Sequence, residues 1–337
     1  MRGERLAARV DELIAESHFS GVVRVDRAGE TLLERSAGWA HRAHKAPMSV
    51  DTRLAMASGS KGLTALVVLS LAADGTLPLT TRARELLGDD LPLVDDGVTV
   101  EHLLAHRSGV GDYLDEDDAN KIDDYVLAVP VHTLADTSDY LAVLDGRPQR
   151  FPPDERFAYN NSGFVILALL AERAVGTAFA DLVKQRVCDP ADMRDTEYLR
   201  SDALPERTAL GYLHAEGHDS NVLHLPVQGS GDGGAYTTTA DIHRLWSALQ
   251  EGAVLDRAFL AAAWQPRSDV PKEGMRYGLG FWLHAKGPAV MLEGYDAGVS
   301  LRTVRDPESN TTHTVIANWS DGAWPLTRAL DHDLLGW

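Results

Sequence analysis

The β-like runs of this chain lie at its two ends, with a long helical stretch between them, and few folds accommodate that order. Near the start, "GVVRVDRAGETLLERSAGWA" has two apolar runs flanking Ala28-Gly29, the pattern of a β-hairpin. In the last third, "YGLGFWLHA", "AVMLEG", "GVSLRTVRD" and "THTVIANW" are separated by turn residues, and "DPESN" joins two of them. The simplest assembly pairs the early hairpin with the late strands in one antiparallel sheet. A first helix, with Leu6, Val10, Leu13 and Ile14 on one face, and a closing helix from about Pro325 to Leu335 pack on that sheet. The expected class is α+β. Residues 1–75 and 230–337 form a sheet domain, and residues 76–229 an inserted, mostly helical one.

Within the helical stretch, "SKGLTALVVLSLAADG" reads as a buried helix that Gly75 ends as a C′ glycine. Further helices are expected near "VEHLLAH", "TLADTSDYLAVLDG", "SGFVILALLAERAVG", "FADLVKQRV" and "TTTADIHRLWSALQEG". The acidic stretch from Asp112 to Tyr125 is the strongest shift in composition and reads as a solvated loop.

Composition closes several routes. A net charge of −18 argues against nucleic acid, whose phosphates attract lysine and arginine. One cysteine, Cys188, permits neither an internal disulfide nor a cysteine-rich metal site. No apolar run approaches the roughly 20 residues that span a bilayer. "MRGERLAARVDELIAESHF" lacks the continuous apolar core of an export signal, so a cytoplasmic protein is expected.

"MASGSKG" places Ser58 and Lys61 three positions apart at the start of the buried helix. With 18 serines and 6 lysines in the chain, chance alone gives roughly 0.3 such spacings. Ser58 is therefore either an ordinary helix cap or a nucleophile. The spacing suits the second role, because positions three apart share a helical face and the ammonium can reach the hydroxyl. A serine hydroxyl stays a poor nucleophile until something takes its proton. "FAYNNSGF" supplies a candidate in Tyr159, two residues before Asn161. A phenol, with a free pKa near ~10, becomes a base only where cations hold its phenolate, and Lys61 can do so. The plain alternative is a packed tyrosine and an asparagine capping the next helix; Asn161 can do both jobs. His102 and His106, four apart in "VTVEHLLAHRSGVGDY", lack the glutamate of a His-Glu-x-x-His motif and a third ligand, so they read as core or hydrogen-bonding histidines. No Gly-x-Ser-x-Gly elbow occurs. "GSGDGG" (229–234) lacks the strand–helix context of a dinucleotide loop. Neither a metal nor a cofactor is expected.

Taken in order, "LAMASGSKGLTALVVLSLAADGTLPL", "VTVEHLLAHRSGVGDY", "YNNSGFVILALLAERAVG", "VCDPADMRDTEYL", "GDGGAYTTTADIHRLWSAL" and "YGLGFWL" resemble the serine β-lactamase and penicillin-binding-protein-like family. The nearest members are the class C β-lactamases and their esterase relatives. The resemblance implies an active site in the cleft between the two domains. It implies Ser58 as acyl-accepting nucleophile, Lys61 as its proton partner and Tyr159 as general base and then acid. Asn161 would bind the substrate carbonyl or hold Lys61.

One departure bears on substrate. Where relatives carry Lys-Thr-Gly or His-x-Gly, this chain has "MLEGYDAGVS", which puts Leu292 at the cationic position, followed by Glu293 and Gly294. Tyr295 would give the second oxyanion-hole N–H beside that of Ser58, and a backbone donor survives side-chain changes. Such a site should welcome a substrate carboxylate less than neutral esters or amides, or substrates bearing an amine. The expected function is a serine esterase or amidase working through an acyl-enzyme on a small molecule. The alternatives are β-lactamase, D-aminopeptidase or D,D-carboxypeptidase activity, an acyltransferase, or a non-catalytic binding protein on the same scaffold. The acidic stretch would line the entrance and favour cationic substrates. Oligomeric state is left open.

Overall fold

The computed structural model describes residues 2–114 and 125–336. Strands from the two ends of the chain close on each other. The hairpin of β1 (Gly21–Arg27) and β2 (Glu30–Ala37) turns through Ala28 and Gly29, at φ of 52° and 85°. A two-residue turn with both φ positive matches the twist of the flanking strands. The last third supplies β3 (Ser268–Val270), β4 (Met275–Tyr277), β5 (Trp282–His284), β6 (Val290–Asp296), β7 (Val299–Asp306) and β8 (Thr311–Ala317). All eight join one sheet in the order β2-β1-β8-β7-β6-β5-β4-β3. Every pairing is antiparallel. The seam between the two ends is β1 against β8, with Val23 opposite Val315. β3 has three residues and no apolar alternation, so the sequence does not announce it.

Both faces of the sheet are covered. Helix α1 (Arg2–Glu16) brings Leu6 and Val10 onto Val23, Val25 and Val315. On the other face sit α2 (Lys61–Ala73) and α4 (Thr239–Glu251), with α3 (Asn161–Val175) packed against α2. Ten of the 13 residues of α2 and 11 of the 15 of α3 are buried, as helices apolar on all sides must be. Leu66 and Leu69 of α2 and Trp246 of α4 share one continuous core with Val22, Leu292, Leu301 and Ile316 of the sheet. Gly75 follows α2 at φ 83°, as its C′ position requires. Helix α5 (Trp324–Leu330) closes the α1 side with Leu326 and Leu330. Among the described residues no single helix is long and apolar enough to cross a membrane.

The acidic stretch does not follow expectation where it is described. Residues 115–124 lie outside the described residues. Asp112 and Tyr113 are buried, not solvated. Asp112 Oδ2 accepts the Asn161 N–H at 2.8 Å, and its Oδ1 accepts the Ser162 N–H at 2.9 Å. The carboxylate thus serves the N-terminus of α3, where a negative charge meets unpaired N–H groups. Burial nevertheless pushes its pKa up to about 6.

Candidate active site

Ser58 sits on a single 3₁₀ turn, Ala57–Ser60, that leads into α2. It is not the cap. That position belongs to Ser60, whose Oγ accepts the Ala235 N–H at 3.1 Å. Ala57, directly before Ser58, holds φ of 45°, a conformation an L-residue keeps only where its surroundings impose it. The constraint is visible: the Met56 N–H donates to Ala235 O at 2.8 Å. One turn further on, Lys61 points back. Its Nζ donates to Ser58 Oγ at 2.9 Å, Asn161 Oδ1 at 2.7 Å and the main-chain oxygen of Asp232 at 2.7 Å. An ammonium has three N–H donors, and each has an acceptor here, which is how a lysine only 3% exposed is tolerated.

Tyr159 completes the group. Its ring centroid lies 4.9 Å from Lys61 Nζ. Trp282 of β5 stacks on it at 6.1 Å with the planes 11° apart, and His106 packs against it at 4.4 Å. His106 also holds the chain on both sides of Tyr159. Its main-chain oxygen accepts the Ala158 N–H at 2.9 Å, and its Nδ1 accepts the Asn160 N–H at 3.1 Å. Burial, with Lys61 adding to it, keeps the His106 pKa well below its ordinary value, so the imidazole is neutral. His102 does other work: its Nδ1 accepts the Thr99 N–H at 3.2 Å at a helix start. No group of three metal-ligating side chains occurs among the described residues.

Asn160, not Asn161, caps α3: its Oδ1 accepts the Gly163 N–H at 2.6 Å. Asn161 is thereby left to Lys61, and its Nδ2 is fixed on Leu114 O at 2.9 Å.

The glycine-rich stretch 229–234 proves to be part of the site. Thr64 Oγ1 donates to Gly231 O at 2.6 Å, and Lys61 to the next residue's oxygen. A Cβ on Gly231 would lie 2.1 Å from Phe164 O, so only glycine lets the loop approach α3. Asp232 turns its side chain to the Tyr113 hydroxyl, which donates at 2.5 Å. Burial raises its pKa, against the pull of Lys61. Asp232 was not a residue the sequence singled out, although an acid embedded in glycines was the available signal.

On β6 the residues alternate between faces. Leu292, expected from sequence at the cationic position, is 3% exposed and packs over Gly62, where a Cβ would come 2.5 Å from its Cδ2. Glu293 faces the other way. Arg302 of β7, directly opposite it, donates Nε at 2.5 Å and passes on to Asp331 at 2.7 Å. The acid expected beside the substrate position is therefore spent on an ion pair behind the sheet. Gly294 presses on the Ser58 turn, and a Cβ there would lie 2.0 Å from Met56 O. The β5–β6 ladder stops at Trp282 opposite Met291.

Between these elements opens a cleft of about 920 Å³, counting its mouth. Ser58, Asn161, Tyr113, Asp232, Tyr295 and Asp296 line it, and among the described residues no lysine or arginine does. Glu293 and Gly294 are not in its wall.

The sequence model of the family described as Beta-lactamase matches residues 6–336. The chain belongs to the Beta-lactamase family. It is a serine hydrolase of that family. Penicillin-binding protein 4* of Bacillus subtilis (strain 168) is 28% identical over 96% of this chain and 74% of its own length. Esterase EstB of Burkholderia gladioli is 30% identical over 82% of this chain and 78% of its own. The crystal structure of a penicillin-binding protein from Bacillus halodurans superposes with a TM-score of 0.89 at 33% identity, covering 96% of this chain and 99% of that one. D-amino acid amidase from Ochrobactrum anthropi SV3 shares the fold, with a TM-score of 0.81 at 24% identity over 99% of this chain and 98% of its own.

Proposed function

We propose that this β-lactamase-family enzyme hydrolyses carboxylic esters or amides that carry no carboxylate beside the scissile bond, through an acyl-enzyme on Ser58. The observation that carries the reading is the position of Lys61 Nζ, at once on Ser58 Oγ and Asn161 Oδ1 and above the Tyr159 ring. Tyr159, its phenolate favoured by Lys61, takes the Ser58 proton as Oγ bonds to the carbonyl carbon. The N–H groups of Ser58 and Tyr295 receive the negative charge that develops on the carbonyl oxygen, a contribution of about 3 kcal/mol per donor. The tetrahedral species collapses as Tyr159 returns the proton to the leaving oxygen or nitrogen. Water then attacks the acyl-enzyme, gives its proton to Tyr159, and Ser58 leaves with that proton.

Leu292 supports the absence of a substrate carboxylate, since an alkyl side chain stands where a cation would greet one. Incubation with a panel of esters, amides, D-amino acid derivatives and β-lactams, followed by intact-mass and peptide mass spectrometry, tests the reading. A Ser58 adduct from neutral esters is expected, with no adduct and no turnover in Ser58→Ala. Rapid cephalosporin hydrolysis with little ester turnover would refute the substrate assignment, and activity retained in Ser58→Ala the mechanism.

A further inference from the structure

Resting on that reading, we propose that Asp232, held by Tyr113 in the cleft wall, takes an ammonium group on the acyl portion of the substrate. The enzyme then selects aminoacyl esters or amides over their deaminated counterparts.

Asp232 is placed by its own main chain. Its carbonyl oxygen accepts from Lys61 Nζ at 2.7 Å, and that same nitrogen donates to Ser58 Oγ at 2.9 Å. Two hydrogen bonds therefore separate the residue from the nucleophile. Asp232 lines the cleft and is only 8% exposed. Tyr113 gives one oxygen a neutral donor, and the other receives no hydrogen bond from another described residue. Burying a carboxylate works against its charge, whereas asparagine would fill the same space without one. Lys61, bonded to the main-chain oxygen of Asp232, offsets part of that charge, and among the described residues the cleft wall itself supplies no lysine or arginine. The wall does supply the rings of Tyr113, Tyr140, Tyr236 and Tyr295, and aromatic faces attract ammonium groups.

The side of the substrate follows from Tyr159. As the proton donor it must touch the leaving group, yet it is not part of the cleft wall. The cleft therefore holds the portion that remains on Ser58. An ammonium there meets Asp232, with Asp296 contributing further negative charge to the same wall. If Asp232 served only to balance Lys61, its loss would slow every substrate alike.

The test compares D- and L-alanine methyl esters with methyl propanoate at pH 7. The wild type should favour one alanine ester by tenfold or more in kcat/KM. Asp232→Asn should bring that ratio to within about threefold of unity, and Tyr113→Phe, which keeps the carboxylate, should retain part of it. A wild-type ratio near one overturns the proposal, as does a ratio unchanged by Asp232→Asn. Should Asp232→Asn not fold, the wild type decides: propylammonium should slow phosphonate labelling of Ser58 and propanoate should not. Equal effects of the two ions overturn the proposal. Absence of any Ser58 labelling in the wild type would instead sink the hydrolase reading on which it rests.

Discussion

β6 and the Ser58 turn meet at closer range than side chains allow, and Gly294→Ala asks whether that contact is catalytic. A Cβ at residue 294 would lie 2.0 Å from Met56 O and 2.9 Å from Gly59 N. Both obstacles are main chain, so neither can rotate away. Raising 2.0 Å to an ordinary contact of 3.4 Å forces strand and turn apart by about 1.4 Å. The turn carries Ser58, and the strand carries the Tyr295 N–H assigned to the oxyanion. A donor displaced by more than 1 Å from hydrogen-bond distance no longer bonds. Losing one oxyanion donor costs about 10² to 10³ in kcat, and misplacement by about 1 Å costs about 10² by itself. The expected loss is therefore about 10²- to 10³-fold in kcat with a smaller change in KM. Overpacking should lower stability by about 1–3 kcal/mol, which the protein survives if circular dichroism and thermal melting still report a cooperative fold. Hydrolysis of p-nitrophenyl acetate, with its acylation burst, provides the assay. Tyr295→Ala is the control, because it removes the ring and keeps the N–H. Its loss in kcat should be at least about tenfold milder. Gly294→Ala acylating at the wild-type rate, or Tyr295→Ala matching its loss, would refute the oxyanion assignment.

Glu293→Gln should lower stability by about 1–2 kcal/mol, because Arg302 keeps Asp331 but loses a partner only partly shielded from solvent. The ratio of activities on carboxylate-bearing and neutral esters should not move; a changed ratio in a competition assay would return Glu293 to the cleft. Burial works against the charge on Asp26, but His243 and Arg24 outweigh it and hold its pKa well below the ordinary carboxylate value. The stability this supplies is present above the unfolded value of 3.8 and is lost as pH falls below it. Asp26→Asn should therefore flatten the decline in melting temperature between pH 5 and about 3, and an unchanged slope would count against the pairing.

The parts of this site that the sequence made legible are those whose signal is a side chain at a fixed spacing. Ser58 and Lys61 meet because three residues bring a helical side chain back over the preceding turn, and that geometry is local. Tyr159 and Asn161 were legible for a similar reason, as the lead-in to an apolar run. Asn161 was nevertheless read as a possible cap, because two adjacent asparagines look alike until one is seen to accept the Gly163 N–H. Glu293 was misread as a cleft residue although strand alternation argues otherwise. If Leu292 and Gly294 face the Ser58 turn, the residue between them cannot, and Arg302 opposite it on β7 was the waiting partner. Asp112 was hidden by its neighbours, since a run of acids reads as solvated whichever member accepts the N–H groups at a helix start. Asp232 was the least visible, and the reason is physical. Its place is set by a main-chain oxygen and by glycines that allow close approach, neither of which has a side-chain pattern. The proposed nucleophile and activator are thus written in side chains, while the surface proposed to choose the substrate is positioned by backbone. The same division separates the Ser58 group from Leu292, expected from sequence to stand at a cationic position. The hydrogen bonds of the proposed catalytic group converge on Lys61, whereas the Leu292 side chain is held by apolar packing, over Gly62 and within the core, so on the proposed reading specificity can change on β6 without moving any atom that Lys61 holds.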